Sequence, residues 1–458
     1  MFFIASAALL IQAESVIAGE CLDAEFCTTP CRAENSCNRD DDCAEGMICA
    51  PSCLPSSCKC SDGIWACTAD CAGECVERPV WTGPPSYVII DLGTLGGWSS
   101  VGLGINEQGQ VAGGADTGQG LRHAFLWDSG VMTDLGTLPG VTQSEAWDIN
   151  NRGQVVGDAL DDMHAPPHAF LWQDGEMLDL GHLGGGESSA YAVNDSGQVV
   201  GRSITLQGGG HAFLWEGGMM TDLHHTTLPG VGGGAWDINA SGNVVGWDAT
   251  SAEAHAFLLE GQEVTNLGTL GGAVSVAQAV NDSDQVVGVS ERPPGGDRTF
   301  HAFLWDKGEM IDLGALGAFH DSSAEAINNR GQVVGRGPGV VAYEGFLYDP
   351  DLGMRELGNL ISVNSRWSRL DPRDINDAGQ IVGSGTFRGA RHAFLMTPLD
   401  ADFDDDDHTD LADYEQFHGC LTGPAARRTV ECKTRDIDRD GDVDLVDFRA
   451  FQWVFAGP

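Results

Sequence analysis

Positive charge is scarce in this chain. Of 458 residues only 24 are lysine or arginine, against 67 aspartate and glutamate, and the formal net charge is −43. That balance leaves no basic footprint for nucleic acid and disfavours an anionic membrane surface. Cysteine is missing from most of the chain. Twelve of the 14 lie between Cys21 and Cys75, Cys420 and Cys432 stand near the C-terminus, and roughly 340 residues between hold none. Histidine is missing from the cysteine-rich stretch, which lowers the odds of a zinc reading of its CKC and CTADCAGEC runs. Beyond the N-terminus no run is apolar enough to span a membrane. No nucleophile elbow, zinc-protease motif or phosphate loop occurs.

The first 18 residues, MFFIASAALLIQAESVIA, have the apolar length and small-residue ending of a signal peptide, although Lys and Arg are absent from their start. Removal of that leader leaves no membrane insertion to expect. An even number of clustered cysteines behind a leader reads as disulfides formed in an oxidising compartment. Residues 19–80 are therefore expected to be a small disulfide-rich module whose connectivity stays open. Its end, CLPSSCKCSDGIWACTADCAGEC, resembles disulfide-rich modules of secreted bacterial proteins.

What the chain has in abundance is glycine, 63 residues, and repetition. The nonapeptide INNRGQVVG stands at 149 and again at 327, with looser copies at 105, 193, 238, 280 and 375. Its Asn recurs every 42 to 48 residues, a period of propeller blades. Two further signatures alternate with it. One is DLG-like, with Asp91, Asp134, Asp179, Asp222, Asn266, Asp312 and Glu356 each before Leu. The other is HAFLW, starting at His123, His168, His211, His255, His301 and His392, with EGFLY at 344 in the remaining repeat.

Each unit reads as four short strands, SEAWDIN, QVVGDAL, HAFLWQDG and EMLDLG in the second copy. Asn-x-x-Gly between two strands is a tight hairpin: Asn bonds its own backbone and Gly takes the left-handed position. Asp284, standing for that Gly in one copy, tolerates the same conformation. Small residues on one parity of the first strand, such as Ser144 and Ala146, suit the crowded axis of a ring. The histidines, one per repeat, are expected to bond a neighbouring backbone group rather than gather round a metal. The array opens with a lone fourth strand, YVIIDLG at 87–93, and ends on HAFLM without a fourth. Closing the ring with that strand removes exposed edges. The expected fold is mainly β: a seven-bladed β-propeller at 87–397, with an open β-solenoid as the alternative. The run HAFLWDSGVMTDLGTLPGVTQSEAWDINNRGQVVG resembles the HAF-type extracellular repeats of bacteria. That resemblance implies an exported repeat protein without established catalytic residues.

After Pro398 the composition turns acidic. DIDRDGDVDLVDFRAF at 436 has calcium-loop spacing, with Asp436, Asp438, Asp440, Asp442, Asp444 and Asp447 as oxygen donors and Gly441 at the sharp turn. DFDDDDHTDLADYEQF at 402 repeats the pattern with Asp402, Asp404, Asp406, His408 through its carbonyl, Asp410 and Asp413, but places Asp407 at the turn. Calcium is the expected cofactor, and one short helix is expected behind each loop. Residues 402–458 resemble dockerin modules, which implies a small α-helical calcium module and a cohesin-like protein partner. Leu411-Ala412 and Leu445-Val446 depart from the small polar residues common at those dockerin positions. In that setting Cys420 and Cys432 would staple the two units together.

Variation concentrates in the loops between second and third strands. Arg292, Arg298, Arg388 and Arg391 are rare positive charges there, and Trp98, Trp147 and Trp236 lie near first strands. For any single Trp, packing between blades is the better account. The expected function is a secreted, extracellular or cell-surface bacterial binding or scaffold protein without catalysis. Its propeller face would meet a polysaccharide or cell-surface glycan. A dockerin-bearing carbohydrate-active enzyme and a structural envelope repeat protein are the alternatives.

Overall fold

The computed structural model describes residues 87–161, 165–226, 232–249, 253–293, 299–316, 321–338, 343–362 and 365–399. Nearer the N-terminus it describes four short strands in two antiparallel ribbons, Met47–Cys49 with Cys75–Glu77 and Cys58–Ser61 with Ile64–Cys67. Their registers set Cys49 opposite Cys75 and Cys58 opposite Cys67. The leader, both calcium loops, Cys420, Cys432 and Arg298 lie outside the described residues.

Seven four-stranded antiparallel sheets follow one another from residue 87 to 398. Blade 1 runs Gly96–Ile105, Val111–Thr117, Arg122–Asp128 and Val131–Gly136. The first strands of blades 2 to 7 are Gln143–Ile149, Gly184–Val193, Gly232–Ile238, Ser275–Val280, Ser323–Ile327 and Trp367–Ile375. Each first strand touches the first strands of both neighbours, and that of blade 7 touches that of blade 1. Tyr87–Gly93 supplies the fourth strand of blade 7, pairing antiparallel with Ala390–Pro398 so that Leu395 faces Ile90. The ring is thus closed by the first strand of the array, and the fold is a seven-bladed propeller rather than an open solenoid. Among the described residues the only helical pieces are single turns at Leu223–Thr226 and Leu357–Asn359.

The repeated letters have assigned places. The Phe of each HAF-type strand, from Phe125 to Phe394, is fully buried between blades, as are the Val residues of QVVG. Burying a Phe side chain is worth about 1.5–3 kcal/mol, and seven such anchors hold the blades face to face. In each blade one residue of the first strand is a β-bulge, the position three before the repeated Asn. The Gly of QVVG sits opposite, where a Cβ would overlap the carbonyl oxygen of the strand beside the bulge. That glycine is a packing requirement of the bulge.

The first-strand Ser is a linker rather than merely small. Ser144 donates its hydroxyl to the Gly136 carbonyl and accepts the Ala124 N–H of the preceding blade. Ser100, Ser188, Ser275 and Ser322 repeat both bonds. Blade 4 has Gly233 at this place, and His224 from the single helical turn brings Nδ1 to the Ala212 N–H at 3.0 Å. The HAF histidines correct the sequence expectation. Their partner is a side chain: Nδ1 of His123, His168, His211, His301 and His392 meets the carboxylate of Asp134, Asp179, Asp222, Asp312 and Asp91, and His255 meets Asn266. The DLG acid had no assigned role in the sequence; it fixes the third strand to the fourth.

Candidate functional site: the two ends of the axial channel

Each first strand runs from the face made by the second-to-third and fourth-to-first loops, here the upper face, down to the Asn-x-x-Gly turn on the lower face. Along it come the bulge residue, then an axial position, then the Asn. Three rings of side chains therefore surround the axis.

The lower ring is a belt. Nδ2 of Asn106 donates to the Asn150 carbonyl, Asn150 to Asn194, Asn194 to Asn239, Asn239 to Asn281, Asn281 to Asn328, Asn328 to Asn376 and Asn376 back to Asn106, all at 2.9–3.1 Å. Oδ1 of each Asn accepts the N–H four residues on, so the expected turn role holds. The left-handed position is filled as expected, Asp284 included at φ 61°. A second belt lies outside it. The N–H of Glu107, Asn151, Ala240, Asp282, Asn329 and Asp377 each donates to the side chain at the same position of the next blade. Ala240 has no acceptor to offer Asp195, so this belt is open once. The mouth so framed holds a polar cavity of about 310 Å³. Its polar groups are spent on closing the ring.

The middle ring carries Asp in three blades. Asp148 accepts the N–H of Ile149 at 2.7 Å and of Val193 in the next blade at 2.8 Å. Asp237 does the same with Ile238 and Val280, and Asp374 with Ile375 and Ile105. Burial pushes these carboxyls up, to about 6 for Asp148, about 7 for Asp237 and about 8 for Asp374, against the backbone N–H bonds that lower them. Repulsion from Asp148 adds to the rise at Asp237 and Asp374.

The upper ring has no common residue: Leu103, Trp147, Tyr191, Trp236, Gln278, Glu325 and Arg373 occupy the bulges of blades 1 to 7. All are part-exposed. Blades 2 to 4 form an aromatic arc, with Tyr191 stacked on Trp236 at 4.4 Å and edge-on to Trp147 at 6.0 Å. Trp147 donates Nε1 to Asp158, whose carboxyl burial and the nearby Glu145 push up to about 6. Nε1 of Trp236 and Nε of Arg202 are buried without a hydrogen-bond partner. Across the axis, Arg373 pairs with Asp371 at 2.9 Å and Glu325 at 3.5 Å, and Arg336 with Glu325 at 3.1 Å.

The structure therefore brings Trp147 and Trp236 together, with Tyr191 between them. Trp98 stands apart at the rim, 85% exposed. Arg292 is tied to Asp312 at 3.3 Å, while Arg388 and Arg391 crown blade 7. Tyr191, Gln278, Glu325, Arg373, Asp158 and Arg202 were missed by sequence reasoning. The signal was available: the residue three before each repeated Asn ranges over apolar, aromatic, amide, acidic and basic side chains while its neighbours repeat. One group of metal-ligand type occurs among the described residues, His211, Asp222 and His224. His211 and Asp222 bond each other, and burial holds His224 below its ordinary pKa while Nδ1 accepts the Ala212 N–H.

Residues 184–400 match the family described as "Protein of unknown function (DUF3466)". No curated protein matches the chain. Among solved structures, TolB from Acinetobacter baumannii aligns at 12% identity over 60% of this chain and 76% of that one, with a TM-score of 0.38. A prolyl endopeptidase aligns at 12% identity over 67% of this chain, which spans 51% of that protein, with a TM-score of 0.45. The β-propeller domain of the Trilobed protease from Pyrococcus furiosus aligns at 13% identity over 55% of this chain and 82% of that one, with a TM-score of 0.36.

Proposed function

We propose that the chain is a secreted bacterial binding protein whose ligand, a glycan, sits on the upper face over the bulge ring. One contrast carries this reading. Turn, core and linker positions are copied from blade to blade, whereas the seven bulge positions share no common side chain. A ring needing only closure has no use for that diversity at its axis. Aromatic faces beside unpaired N–H donors and a carboxylate suit a sugar, with apolar ring faces and polar edges. Both propeller ends, Tyr87 and Pro398, pair with each other at the lower face. The decisive experiment is a glycan array probed with the full chain and with Trp147→Ala/Trp236→Ala. Loss of the signal in a variant that melts like its parent supports the reading. An unchanged array profile sinks it.

The attachment end of this reading is the acidic tail. Its two in-register loops support a calcium-dependent, dockerin-like module that would hold a cohesin-like partner. Calcium titration calorimetry of the full chain, with and without Asp436→Ala, tests it; absence of calcium heat refutes it. Export with full oxidation rests on the apolar N-terminus and clustered cysteines, and stoichiometric free thiols in the denatured, unreduced protein would refute it. A carbohydrate-active enzyme is the second reading. It is favoured by Asp158, raised to about 6 and directly opposite Glu145 on the paired strand. Hydrolysis of a bound glycan that Asp158→Asn abolishes would establish it.

A further inference from the structure

The arginines are unevenly spread. Eight of the 24 basic residues lie between Arg330 and Arg391, within blades 6 and 7. Six of these, Arg336, Arg366, Arg369, Arg373, Arg388 and Arg391, belong to the upper half of the two blades. Among the described residues two acids form ion pairs with them. Glu325 pairs with Arg336 and Arg373, and Asp371 is shared by Arg336, Arg373 and Arg391 at 2.9–3.7 Å. Arg366, Arg369 and Arg388 are exposed and have no ion pair among the described residues. The upper half of blade 7 alone carries Arg366, Arg369, Arg373, Arg388 and Arg391 against Asp91 and Asp371, so this blade's face is locally positive on a chain of net charge −43. Screening over about 8 Å at physiological salt lets a ligand there meet the sector rather than the whole molecule.

The backbone adds an independent observation. Arg366, Arg369 and Arg388 sit at φ 63°, 54° and 50°. Among the described residues seven non-glycine residues have positive φ; these three arginines all fall in this sector, and Lys307 in a turn of blade 5 is the other cation. The left-handed region favours Gly, Asn and Asp, and other side chains there cost of order 1 kcal/mol or more. Arg388-Gly389 is the tip of a hairpin that pairs Phe387 with Ala390, a place where Asn-Gly is the ordinary choice. Strain of this kind, repeated three times on exposed cations, points to function. Between these cations lie two rings. Trp367 and Phe387 face each other across the strand pair and stack at 4.8 Å, both part-exposed, with the Arg388 guanidinium over Phe387 at 4.9 Å.

We infer that the upper face of blade 7 is a docking surface for an anionic polysaccharide, one whose sugars carry carboxylates. The inference rests on the binding reading above and adds the ligand's charge. Guanidinium forks match carboxylates in pairs, and the rings offer faces for the sugar. A dense polyanion such as duplex DNA fits less well, since the remaining surface of this acidic chain repels it.

The test uses the full chain and the triple variant Arg366→Asn/Arg369→Asn/Arg388→Asn. Asn tolerates the left-handed backbone, so this variant removes charge while keeping or raising the melting temperature. Probes are polygalacturonate, its neutral methyl ester and duplex DNA, read by calorimetry and affinity electrophoresis. The expected result is binding of polygalacturonate, weakened at least tenfold in the triple variant, with the neutral ester unaffected by the substitutions. No binding of polygalacturonate, equal binding by the triple variant, or DNA bound as tightly would overturn it. Glycan binding lost in Trp147→Ala/Trp236→Ala but indifferent to the arginines would leave the axial reading standing and this one refuted. Polygalacturonate binding lost with the arginines but indifferent to those Trp changes would do the reverse.

Discussion

Nδ2 of Asn376 donates to the backbone carbonyl of Asn106 at 3.0 Å, across 270 residues of sequence. It is the closing link of a seven-membered belt whose other six links join consecutive blades. The same side chain also nucleates its own turn through Oδ1. One residue thereby specifies both a local hairpin and the ring's circumference.

The two roles can be separated. In Asn194→Asp the oxygen that accepts the Ser196 and Gln198 N–H groups remains, but the N–H donated to the Asn239 carbonyl is replaced by an oxygen facing an oxygen. Asn194→Ala loses both. If the belt carries most of the energy, both variants should lose roughly 2–4 kcal/mol, from orphaned buried groups. A urea titration in which Asn194→Asp unfolds with the parent would show that only the turn matters.

Ring closure depends on Tyr87–Gly93. Deleting that strand exposes the third strand of blade 7 and removes Asp91 from His392. The shortened chain should melt at a lower temperature, lose cooperativity and aggregate through the open edge. Scanning calorimetry and light scattering check this; a single sharp transition at the parent temperature would contradict it.

Much of this architecture was legible in the sequence because it is copied. Blade number, the turn residues and the closing strand all follow from counting motifs. What was not legible is what lies between copies. The histidine partner is a residue 11 positions on, the DLG acid, visible only once the third and fourth strands are in register. The seven bulge residues were hidden because period-2 reasoning assigns every strand residue to one blade face or the other, and a bulge belongs to neither. Trp147 and Trp236 drew notice as aromatics, while Tyr191, which joins them, did not.

The middle ring makes stability depend on pH. Asp148, Asp237 and Asp374 have an ordinary value of 3.8 and are raised in the fold to about 6, 7 and 8. A raised acid favours the folded state when protonated, so its contribution is full below about 4 and is lost as pH rises through the folded value. Stability should therefore fall as pH rises from about 4 to about 8, by up to about 1.4 kcal/mol per pH unit for each group between its ordinary and its raised value. Asp374→Asn should flatten the upper part of that profile. It should also lower stability throughout, because an amide cannot accept both the Ile105 and Ile375 N–H groups. A slope unchanged in Asp374→Asn would show that this carboxyl is already ionised at neutral pH.

The last prediction compares two glycines of blade 2. Gly175 lies in the turn between third and fourth strands at φ 89°, with open space where a Cβ would go. Gly157 lies in the second strand without an unusual φ, but a Cβ there would overlap the Glu145 carbonyl oxygen and press on the Ala146 Cα beside the Trp147 bulge. Conformational preference alone would make Gly175→Ala the costlier change, at about 1 kcal/mol. Steric reasoning reverses the order, because the obstacle at Gly157 is backbone that cannot rotate away. Gly157→Ala should cost at least about 3 kcal/mol, since relief requires moving the first strand off the second. It should also shift Trp147, whose indole N–H is held by Asp158, so tryptophan fluorescence should change in the native baseline. Equal melting temperatures for the two variants would mean that the bulge relaxes easily and that the seven-fold glycine has another cause.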